Sequence, residues 1–450
     1  MTLTRASFAM ITGAVVNAKD YGAVGDNNAD DTAALQAAIT AAAGKSLYIP
    51  PGNYKVTAPL TVSNRTSICG DTPSSTTIIY RTSTTTTNYL FTFDNLDNIY
   101  LSNLSLTCAT GGGSQNTGAI RCNGTSGPVT EVFLDKVYIS GFQIIGIAFE
   151  VQVYYVSLTN CRFLNIDNST SNGGTGLTNA IAVYFGYPAN AVRLRDCRFA
   201  SNNVAIAGST TAQKYSLVIN GCYFESHGAT GVGAPTPYDT IELRKWSSVE
   251  FTGNYVEFNR TGTNTADSVL RLRECRGVNV SGNLFAGALG GVAISKNLIG
   301  ISDTCYGITI QNNEFQDPIS NYVYVADGNS ICKVERNYYD AFGAPVVTYA
   351  NIMAKMTAAL VELDVPLLAS VNTGTVTTGD DYQVDVAMTG VPTDRYCSVV
   401  ATPISAGSDW VVSAVLKTID VVRLTFLNVS GSNNSFNGTV AIRVLKHGSF

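Results

Sequence analysis

The stretches SSVEFTGNYVEF (247–258) and RGVNVSGNLFAG (276–287) share one pattern. In both, the third and fifth positions are apolar, the eighth is Asn, and the tenth is Val or Phe. Alternating apolar residues are typical of a strand with one buried face, and Asn tolerates the left-handed backbone of a tight turn. Each stretch therefore predicts a strand, a sharp turn just before the Asn, and a second strand.

The same pattern occurs in seven windows of twelve residues, separated by steps of 36, 25, 32, 29, 30 and 24 residues. Their eighth positions are Cys161, Cys197, Cys222, Asn254, Asn283, Asn313 and Asn337. Variable steps above a minimum near 24 residues are expected of stacked coils with insertions at some corners. Because stacked amides can bond to one another, we expect an asparagine ladder that becomes cysteine in the earlier coils.

A further strand is expected between successive windows. The candidates are NAIAVYFG (179–186), DTIELRKW (239–246), SVLRLREC (268–275), GVAISKN (291–297) and YVYVADG (322–328). These gaps have no helical period, which disfavours alternating strands and helices, and the consensus of leucine-rich repeats is missing. The sequence therefore predicts an all-β chain, with a right-handed parallel β-helix over residues 19–345.

The segment NAKDYGAVGDNNADDTAALQAAI (17–39) precedes these coils. After Asp31, apolar residues recur at helical spacing, which predicts a helix at about 31–43 that covers the end of the coil. An Asp at the start of a helix accepts bonds from its free N–H groups. Capping therefore explains at least one of the two acids, and we expect structural rather than catalytic roles for Asp30 and Asp31.

This opening segment, with the following LYIPPGNYKV (47–56), resembles the start of the pectate-lyase-like β-helix of bacteriophage tailspikes. The resemblance covers about 45 residues and implies fold more strongly than chemistry, because the same scaffold carries lyases, hydrolases and non-catalytic binders. It also implies a homotrimer, a connector at residues 1–18 that joins other phage tail proteins, and a location in the virion tail, acting at the bacterial surface.

The C-terminal part of the chain has a different pattern. NIMAKMTAALVEL (351–363) predicts a linker helix within residues 346–364. Alternating strands separated by Gly, Asn and Ser turns then predict an antiparallel β-sandwich over residues 365–450. We expect this sandwich to serve in trimerisation or, as a lesser alternative, in carbohydrate binding.

The composition excludes several classes of protein. Only 14% of the 450 residues are charged, the net charge is −5, and no Lys/Arg cluster occurs, so we expect no nucleic-acid partner. No apolar run is long enough to span a membrane, and the N-terminus lacks the pattern of a secretory signal. The ten cysteines are scattered without a CxxC motif and suggest buried free thiols.

Columns of the alignment become rows on the surface of a β-helix, because neighbouring coils lie about 4.8 Å apart. The eleventh column places Glu225 beside Glu257, and two close carboxylates are the arrangement that glycoside hydrolysis uses. The alternative is that both side chains point into water and separate.

The second strand supplies another candidate site. Aligning IELRKW (241–246) with LRLREC (270–275) places Glu242 beside Arg271 and Arg244 beside Arg273, with Asp239 just before the first strand. Carboxylates interleaved with Arg and flanked by aromatic residues suit a charged sugar chain, and the alternative is a solvated salt-bridge ladder. The aromatic candidates are Trp246 and Tyr255.

His227 is one of two histidines and is a candidate general base, although a lone histidine is more often incidental. No cluster of Asp residues stands out as a calcium site, and no nucleophile-elbow motif occurs. We therefore expect no metal and no cofactor.

The leading hypothesis is a tailspike that binds and hydrolyses a capsule or O-antigen polysaccharide, with one of Glu225, Glu242 and Glu257, together with Asp239, as the acid. Hydrolysis is favoured over β-elimination because carboxylates outnumber plausible bases. A receptor that binds without turnover and a secreted microbial polysaccharide lyase are the alternatives.

Overall fold

The computed structural model describes residues 15–340 and 361–446, with gaps. The gaps are 63–64, 81–87, 95–96, 109–116, 125–126, 168–179, 228–238, 258, 260–266, 287, 290–291, 294–296, 317–320, 327–329, 331, 364–366, 377–380, 388–396, 404–409, 419–420, 429–431 and 433.

The described chain forms a parallel β-helix, as predicted, and each full coil contributes strands to three faces. Face 1 is a ten-stranded parallel sheet. Its strands are Leu60–Val62, Asn88–Asp94, Thr117–Asn123, Ile145–Phe149, Ile181–Phe185, Val204–Gly208, Ile241–Arg244, Ser268–Arg273, Asn297–Ser302 and Asn321–Val325.

Face 2 follows face 1 along each coil. Its strands are Val16–Asn17, Ser46–Tyr48, Ser67–Cys69, Val153–Thr159, Ala189–Arg195, Lys214–Asn220, Trp246–Thr252, Arg276–Ser281, Tyr306–Gln311, Cys332–Glu335 and Val361–Leu363.

Face 3 consists of short strands after a sharp turn. They are Asp26–Asp30, Gly52–Val56, Thr76–Tyr80, Arg162–Leu164, Arg198–Ala200, Tyr223–Glu225, Tyr255–Glu257, Leu284–Ala286, Glu314–Gln316 and Tyr338–Asp340. Two long strands, Asp97–Cys108 and Val129–Ser140, run through faces 2 and 3.

The interior is a set of apolar columns along the helix axis. Phe199 stacks on Phe163 at 4.8 Å and on Phe224 at 4.9 Å between ring centroids, with 7° between the planes in both pairs. The column continues through Phe285 and Phe315, whose centroids are 5.5 Å apart. Like residues in successive coils therefore fill the core layer by layer, as the aligned windows predict.

The predicted asparagine ladder is present at the turn between faces 2 and 3. Asn254 donates from Nδ2 to Oδ1 of Asn283 at 3.0 Å, and Asn283 donates in the same way to Asn313 at 2.8 Å. In the earlier coils a thiol takes the place of the amide: Cys222 Sγ lies 3.6 Å from the Leu194 carbonyl, where Asn254 Nδ2 lies 3.1 Å from that of Ile219.

The left-handed residue of this turn is the one before the ladder residue. Positive φ angles between 50° and 65° occur at Asn160, Asp196, Gly221, Gly253, Gly282, Asn312 and Arg336. The ladder residues themselves do not have positive φ. The asparagines are therefore retained for their hydrogen bonds to the next coil, and the seventh column carries the backbone strain.

The opening helix spans Thr32–Ala41, within the predicted range. Asp30 accepts a bond from the Thr32 amide at 3.0 Å and so caps the helix. Asp31 instead accepts bonds from the amides of Val24, at 2.6 Å, and Gly25, at 3.1 Å, and fastens the preceding loop. Both acids are structural, as expected, but only Asp30 caps.

Two boundaries differ from the sequence expectation. Val16–Asn17, within the predicted connector, pairs in parallel with Leu47 and Tyr48 and belongs to the first coil. Val361–Leu363, at the end of the predicted linker helix, is a strand that pairs in parallel with Cys332–Glu335. The rest of the predicted connector up to residue 14, and residues 346–360, lie outside the described residues.

The C-terminal strands form two three-stranded antiparallel sheets. One contains Leu367–Val376, Cys397–Pro403 and Asn434–Lys446, and the other Asp381–Ala387, Trp410–Thr418 and Val421–Asn428. In the last of these strands Val422, Leu424 and Phe426 alternate with half-buried residues and are themselves buried, so one face of the second sheet is covered. No helix among the described residues is long and apolar enough to cross a membrane.

Lys214 lies in an inward column, level with Trp246, and is fully buried. Its ammonium donates to the carbonyl of Ala212 at 2.9 Å. It also donates to the carbonyls of Ser209 and Arg244, both at 3.2 Å. Burial lowers the pKa of Lys214 to about 8.

A change in the ladder tests its energetic role. Asn283→Ala removes the acceptor of the Asn254 amide and the donor to the Phe251 carbonyl, both buried. Leaving such groups unpaired costs about 1–3 kcal/mol each, so we expect the free energy of unfolding to fall by about 2–4 kcal/mol in denaturant titration. The exposed Asn190→Ala on face 2 is the control. Equal losses in the two variants would contradict the ladder's role.

Lys214 predicts a dependence of stability on pH. Its pKa is about 8 in the folded chain and 10.5 in the reference state, so the unfolded chain holds more protons between these values. The contribution of Lys214 to the free energy of unfolding therefore increases as pH rises across this interval. We expect the difference between wild type and Lys214→Met in urea unfolding to shift in favour of wild type from about pH 7.5 to about pH 10.5. A difference that does not change with pH would rule this out.

Candidate active site

Charged side chains gather on the outer side of face 1, where the strands Ile241–Arg244, Ser268–Arg273 and Asn297–Ser302 lie side by side. The aligned register is confirmed: Glu242 pairs with Arg271, and Arg244 with Arg273. Leu243 and Leu272 point into the core and are fully buried. The alternation of the strands therefore brings one acid, Glu242, and three arginines to one side of the sheet.

Asp239 immediately precedes the first of these strands and is only 8% exposed. Its Oδ1 accepts a bond from the Ser268 amide at 2.8 Å, and its Oδ2 lies 3.5 Å from Nη2 of Arg273. Burial raises the pKa of Asp239 to about 6, although Arg271 and Arg273 act in the opposite direction. A carboxyl with this pKa is able to donate a proton near neutral pH.

Arg273 links three acids. Its Nε lies 3.2 Å from Glu242 Oε1 and its Nη1 lies 3.6 Å from Asp303 Oδ2, in addition to the contact with Asp239. Arg244 contacts two of the same groups, Glu242 at 3.5 Å and Asp303 at 3.7 Å. Asp239, Glu242 and Asp303 are thus held around two guanidinium groups, and we call these five residues the charged cluster.

The charged cluster and the neighbouring Arg271 have N–H donors without a hydrogen-bond acceptor. The Nε atoms of Arg244 and Arg273 and the Nη1 atom of Arg271 are buried without a hydrogen-bond acceptor in the described part of the chain. The 3.2 Å contact between Arg273 and Glu242 is thus an ion pair without hydrogen-bond geometry. Unpaired buried donors are costly. The side chains of Arg244 and Arg273 are 14% and 29% exposed, so an anion can reach them only through their other N–H groups.

Arg271 was expected on the open surface with the other arginines, and this is wrong. It is 4% exposed and donates from Nε to Ser302 Oγ at 3.1 Å. It lies level with Gly300, where an added Cβ would come within 3.0 Å of the Arg271 Cδ. Because Gly300 has no side chain, the arginine stem lies along the next coil instead of standing away from the sheet.

Trp246 was expected to flank the sugar site, and this is also wrong. It is 1% exposed and packs edge-on against Phe185, with 5.4 Å between ring centroids. Lys245, which has a φ of 56°, ends the face 1 strand and turns the chain, so that Trp246 begins face 2 with an inward side chain. Trp246 therefore supports the wall behind the charged cluster and does not contact a ligand.

His227 is an interior residue, which contradicts its assignment as a surface base or ligand contact. It is 1% exposed, and its Nδ1 accepts a bond from the Asn202 amide at 3.2 Å. Burial lowers the pKa of His227 to about 4. The side chain is therefore neutral at physiological pH and shielded from a large substrate.

Glu225 and Glu257 lie on face 3 and are register partners, as expected. Each carboxylate has a partner of its own: Glu225 pairs with Arg198 at 2.8 Å, and Glu257 accepts from the Tyr255 hydroxyl. Burial and this hydrogen bond raise the pKa of Tyr255 to about 12. These residues therefore form a second polar patch, on a different face from the charged cluster.

Asp303 was missed by the sequence analysis. GVAISKN was chosen as the third strand of this set, whereas the strand is NLIGIS at Asn297–Ser302 and Val292–Ala293 belongs to a short antiparallel hairpin. Aligning LRLRE (270–274) with IGISD (299–303) would have placed Asp303 beside Glu274. The apolar alternation of the two segments is similar, so periodicity alone did not separate them.

The described ranges contain no group of three or more His, Cys, Asp or Glu side chains that could hold a metal ion. The carboxyl and guanidinium groups of the charged cluster can transfer protons and bind anions.

Stacked parallel coils preceded by one short helix define a protein of the parallel β-helix class. Residues 15–256, more than half of the chain, match the family described as rhamnogalacturonase A/epimerase, pectate lyase-like. The chain belongs to this family.

Individual relatives are distant or match over short stretches. Mannuronan C5-epimerase AlgE6 of Azotobacter vinelandii is 53% identical over 45 residues, which is 9% of this chain and 5% of that protein. The chain therefore matches only a small fraction of the length of the curated relatives.

Two solved structures resemble the whole or most of the chain. The tailspike protein gp49 of Pseudomonas phage LKA1 gives a TM-score of 0.50 at 12% identity, over 96% of this chain and 100% of that one. The catalytic unit of a GH87 α-1,3-glucanase from Streptomyces thermodiastaticus gives 0.49 at 14% identity, over 78% and 69%. At these identities the likeness concerns the fold alone.

Removing Arg273 tests the charged cluster. Arg273→Gln leaves three acids without their shared cation, so we expect a loss of about 1–3 kcal/mol in the free energy of unfolding at about pH 8. The loss should be smaller at about pH 4.5, where Asp239, whose pKa is about 6, is protonated and no longer needs the cation. Arg193→Gln, which changes an exposed arginine on face 2, is the control and should show little effect at either pH. A pH-independent loss in Arg273→Gln would contradict the network.

Proposed function

We propose that this protein cleaves an anionic polysaccharide by hydrolysis at the charged cluster. The observation that carries the proposal is the pair formed by Asp239 and Glu242, two carboxyl groups in different environments that contact the same guanidinium group. Asp239 is buried and has a pKa near 6, whereas Glu242 is more exposed and contacts two arginines. Glycoside hydrolysis uses such a division between an acid and a base or nucleophile.

In this proposal Asp239 protonates the glycosidic oxygen of the leaving sugar. Glu242 activates a water molecule or attacks the anomeric carbon, and water completes the cleavage. Arg244 and Arg273 hold carboxylate groups of the polymer, because guanidinium binds carboxylate in a fixed planar geometry. The family membership supports a polysaccharide as the substrate, and the guanidinium groups support an anionic one.

The biological setting that we propose is a phage tailspike, assembled as a homotrimer and directed at capsule or O-antigen. The resemblance of the opening segment to tailspikes and the β-helix fold support this setting. Light scattering is expected to give three times the mass of the 47.6 kDa chain. A monomer at micromolar concentration would count against it.

Beta-elimination is the alternative reaction on the same scaffold. It requires a base that removes the proton at C5 of a uronic acid. His227, the candidate base of the sequence analysis, is buried in the core and does not suit this role. Elimination would create an unsaturated product with ultraviolet absorbance, whereas hydrolysis creates reducing ends without such absorbance.

The site of catalysis is tested by conservative variants. On a capsule or O-antigen preparation that the wild type shortens, Asp239→Asn should lower kcat/KM by about 10²–10⁴-fold, because it removes the acid. Wild-type activity should fall as pH rises above about 6, where Asp239 loses its proton. Product size by chromatography, reducing ends and ultraviolet absorbance are the measurements.

Glu225→Gln and Glu257→Gln are the matched controls, since both acids lie on face 3. They should retain the activity that Asp239→Asn loses. Loss of activity in the face 3 variants with retention in Asp239→Asn would move the site to face 3. Binding of the polysaccharide without shortening by the wild type would instead identify a receptor without turnover.

A further inference from the structure

A polar groove runs along the corner between faces 1 and 2, next to the charged cluster. It has a volume of about 500 Å³ and is lined by Gln213, Lys245, Glu274, Arg276, Asp303 and Tyr306, among others. We call it the corner groove. Two acids and two bases line it, so it is charged without a strong excess of either sign.

The register of face 2 places four outward side chains of the corner in a straight row. Tyr215 pairs with Ser247, Ser247 with Arg276, and Arg276 with Tyr306. Tyr215 is 51% exposed and Tyr306 is 42% exposed. With coils about 4.8 Å apart, the two tyrosines are separated by about 14 Å along the row. A row of this length suits an extended chain better than a small compact ligand.

Arg276 is the unused cation of the groove. Its guanidinium lies 5.9 Å from the centre of the Tyr306 ring, and no carboxylate is within ion-pair distance of it among the described residues. The other cation, Lys245, is paired with Glu274 at 3.3 Å. A guanidinium beside an exposed tyrosine ring offers one group for a carboxylate and one flat face for a sugar ring.

Asp303 connects the corner groove to the charged cluster. It lines the groove and also contacts Arg273 at 3.6 Å and Arg244 at 3.7 Å. These two arginines offset part of its negative charge, so that the acid repels an anionic ligand from the groove less strongly. A polymer chain leaving the cluster across face 1 would therefore meet the groove directly.

We propose that the corner groove is a second binding site for the polysaccharide, in which Arg276 pairs with a sugar carboxylate and Tyr306 contacts a sugar ring. Tyr215, which lies outside the groove lining at the other end of the row, contacts a further ring of the same chain. The inference rests on the proposed function for its ligand class, an acidic polysaccharide of the polyuronate type. Contact at two linked places raises the effective concentration of the chain at the cluster, so long chains bind more tightly than short ones.

Binding is tested without turnover in the full chain carrying Asp239→Asn. The probes are alginate and polygalacturonate, with dextran as the neutral polymer, and affinity electrophoresis gives the dissociation constants. Adding Arg276→Gln or Tyr306→Ala should weaken binding of at least one polyuronate by about 5–10-fold, the loss expected for one ion pair or ring contact. Dextran should bind weakly and equally in all variants.

The control changes are Arg193→Gln and Tyr155→Ala, which alter an exposed arginine and a 60% exposed tyrosine on face 2, outside the groove. They should leave polyuronate binding unchanged, and thermal unfolding should show that all variants fold alike. Unchanged binding in the groove variants, or failure of the parent to bind either polyuronate, would overturn the inference.

The two proposals fail in different ways. If Arg276→Gln weakens polyuronate binding but the wild-type protein cleaves no polysaccharide, hydrolysis is refuted and the binding site in the corner groove is supported. If the wild-type protein cleaves the polysaccharide but the groove variants bind polyuronate as tightly as their parent, binding in the corner groove is refuted and the proposal of hydrolysis stands.

Discussion

The parallel backbone ladder between successive coils is the constraint on which the rest of the structure depends. It holds neighbouring strands in direct register, as in the pairing of Leu217 with Val249 and of Val249 with Val278. A slip of one residue would turn every inward side chain outward, so the register is fixed by burial. Columns of like residues, including the phenylalanine stack and the asparagine ladder, follow from this register. They stabilise it in turn through packing and through hydrogen bonds from one coil to the next.

The same register determines where charge can collect. Side chains on the outer side of a face stand about 4.8 Å from their counterparts in the next coil, so equal charges become neighbours. Arg244 and Arg273 are such a pair, and Glu225 and Glu257 are another. On face 1 the repulsion is relieved by acids between and around the arginines, and burial of Asp239 produces a protonatable group within the network. On face 3 each glutamate has a separate partner. Among the described residues of these two faces, the combination of a perturbed acid with shared cations therefore occurs on face 1.

The sequence predicted the coil, its register and the ladder, because all three follow from residues that recur in fixed columns. It also brought Glu242, Arg244, Arg273 and Asp239 together correctly. It failed where side-chain direction depends on a single backbone residue. Lys245 turns Trp246 inward, and the missing side chain of Gly300 lets Arg271 lie against its neighbour. The alignment of the repeated windows predicts neither the turn at Lys245 nor the space beside Gly300. Asp303 was not identified because GVAISKN (291–297) and NLIGIS (297–302) are neighbouring segments with a similar apolar alternation.

Local rules of protein structure are broken mainly in one part of the described chain. The buried charged side chains are Asp31, Lys214, Asp239, Asp267 and Arg271, together with the neutral His227. Asp31 is satisfied by backbone amides far from the cluster, whereas the other charged residues lie in the coils that form the cluster and the corner groove. Apolar side chains at these positions would make the folded chain more stable than the charged ones do, since buried ion pairs rarely add net stability. The long ladder on either side supplies the stability that lets these coils keep a buried lysine, a protonatable aspartate and unused guanidinium donors. Such a local conflict, inside an otherwise consistent fold, is what is expected of a site retained for binding or catalysis. Face 1 and its corner with face 2 are therefore better candidates for such a site than face 3, independently of the identity of the substrate.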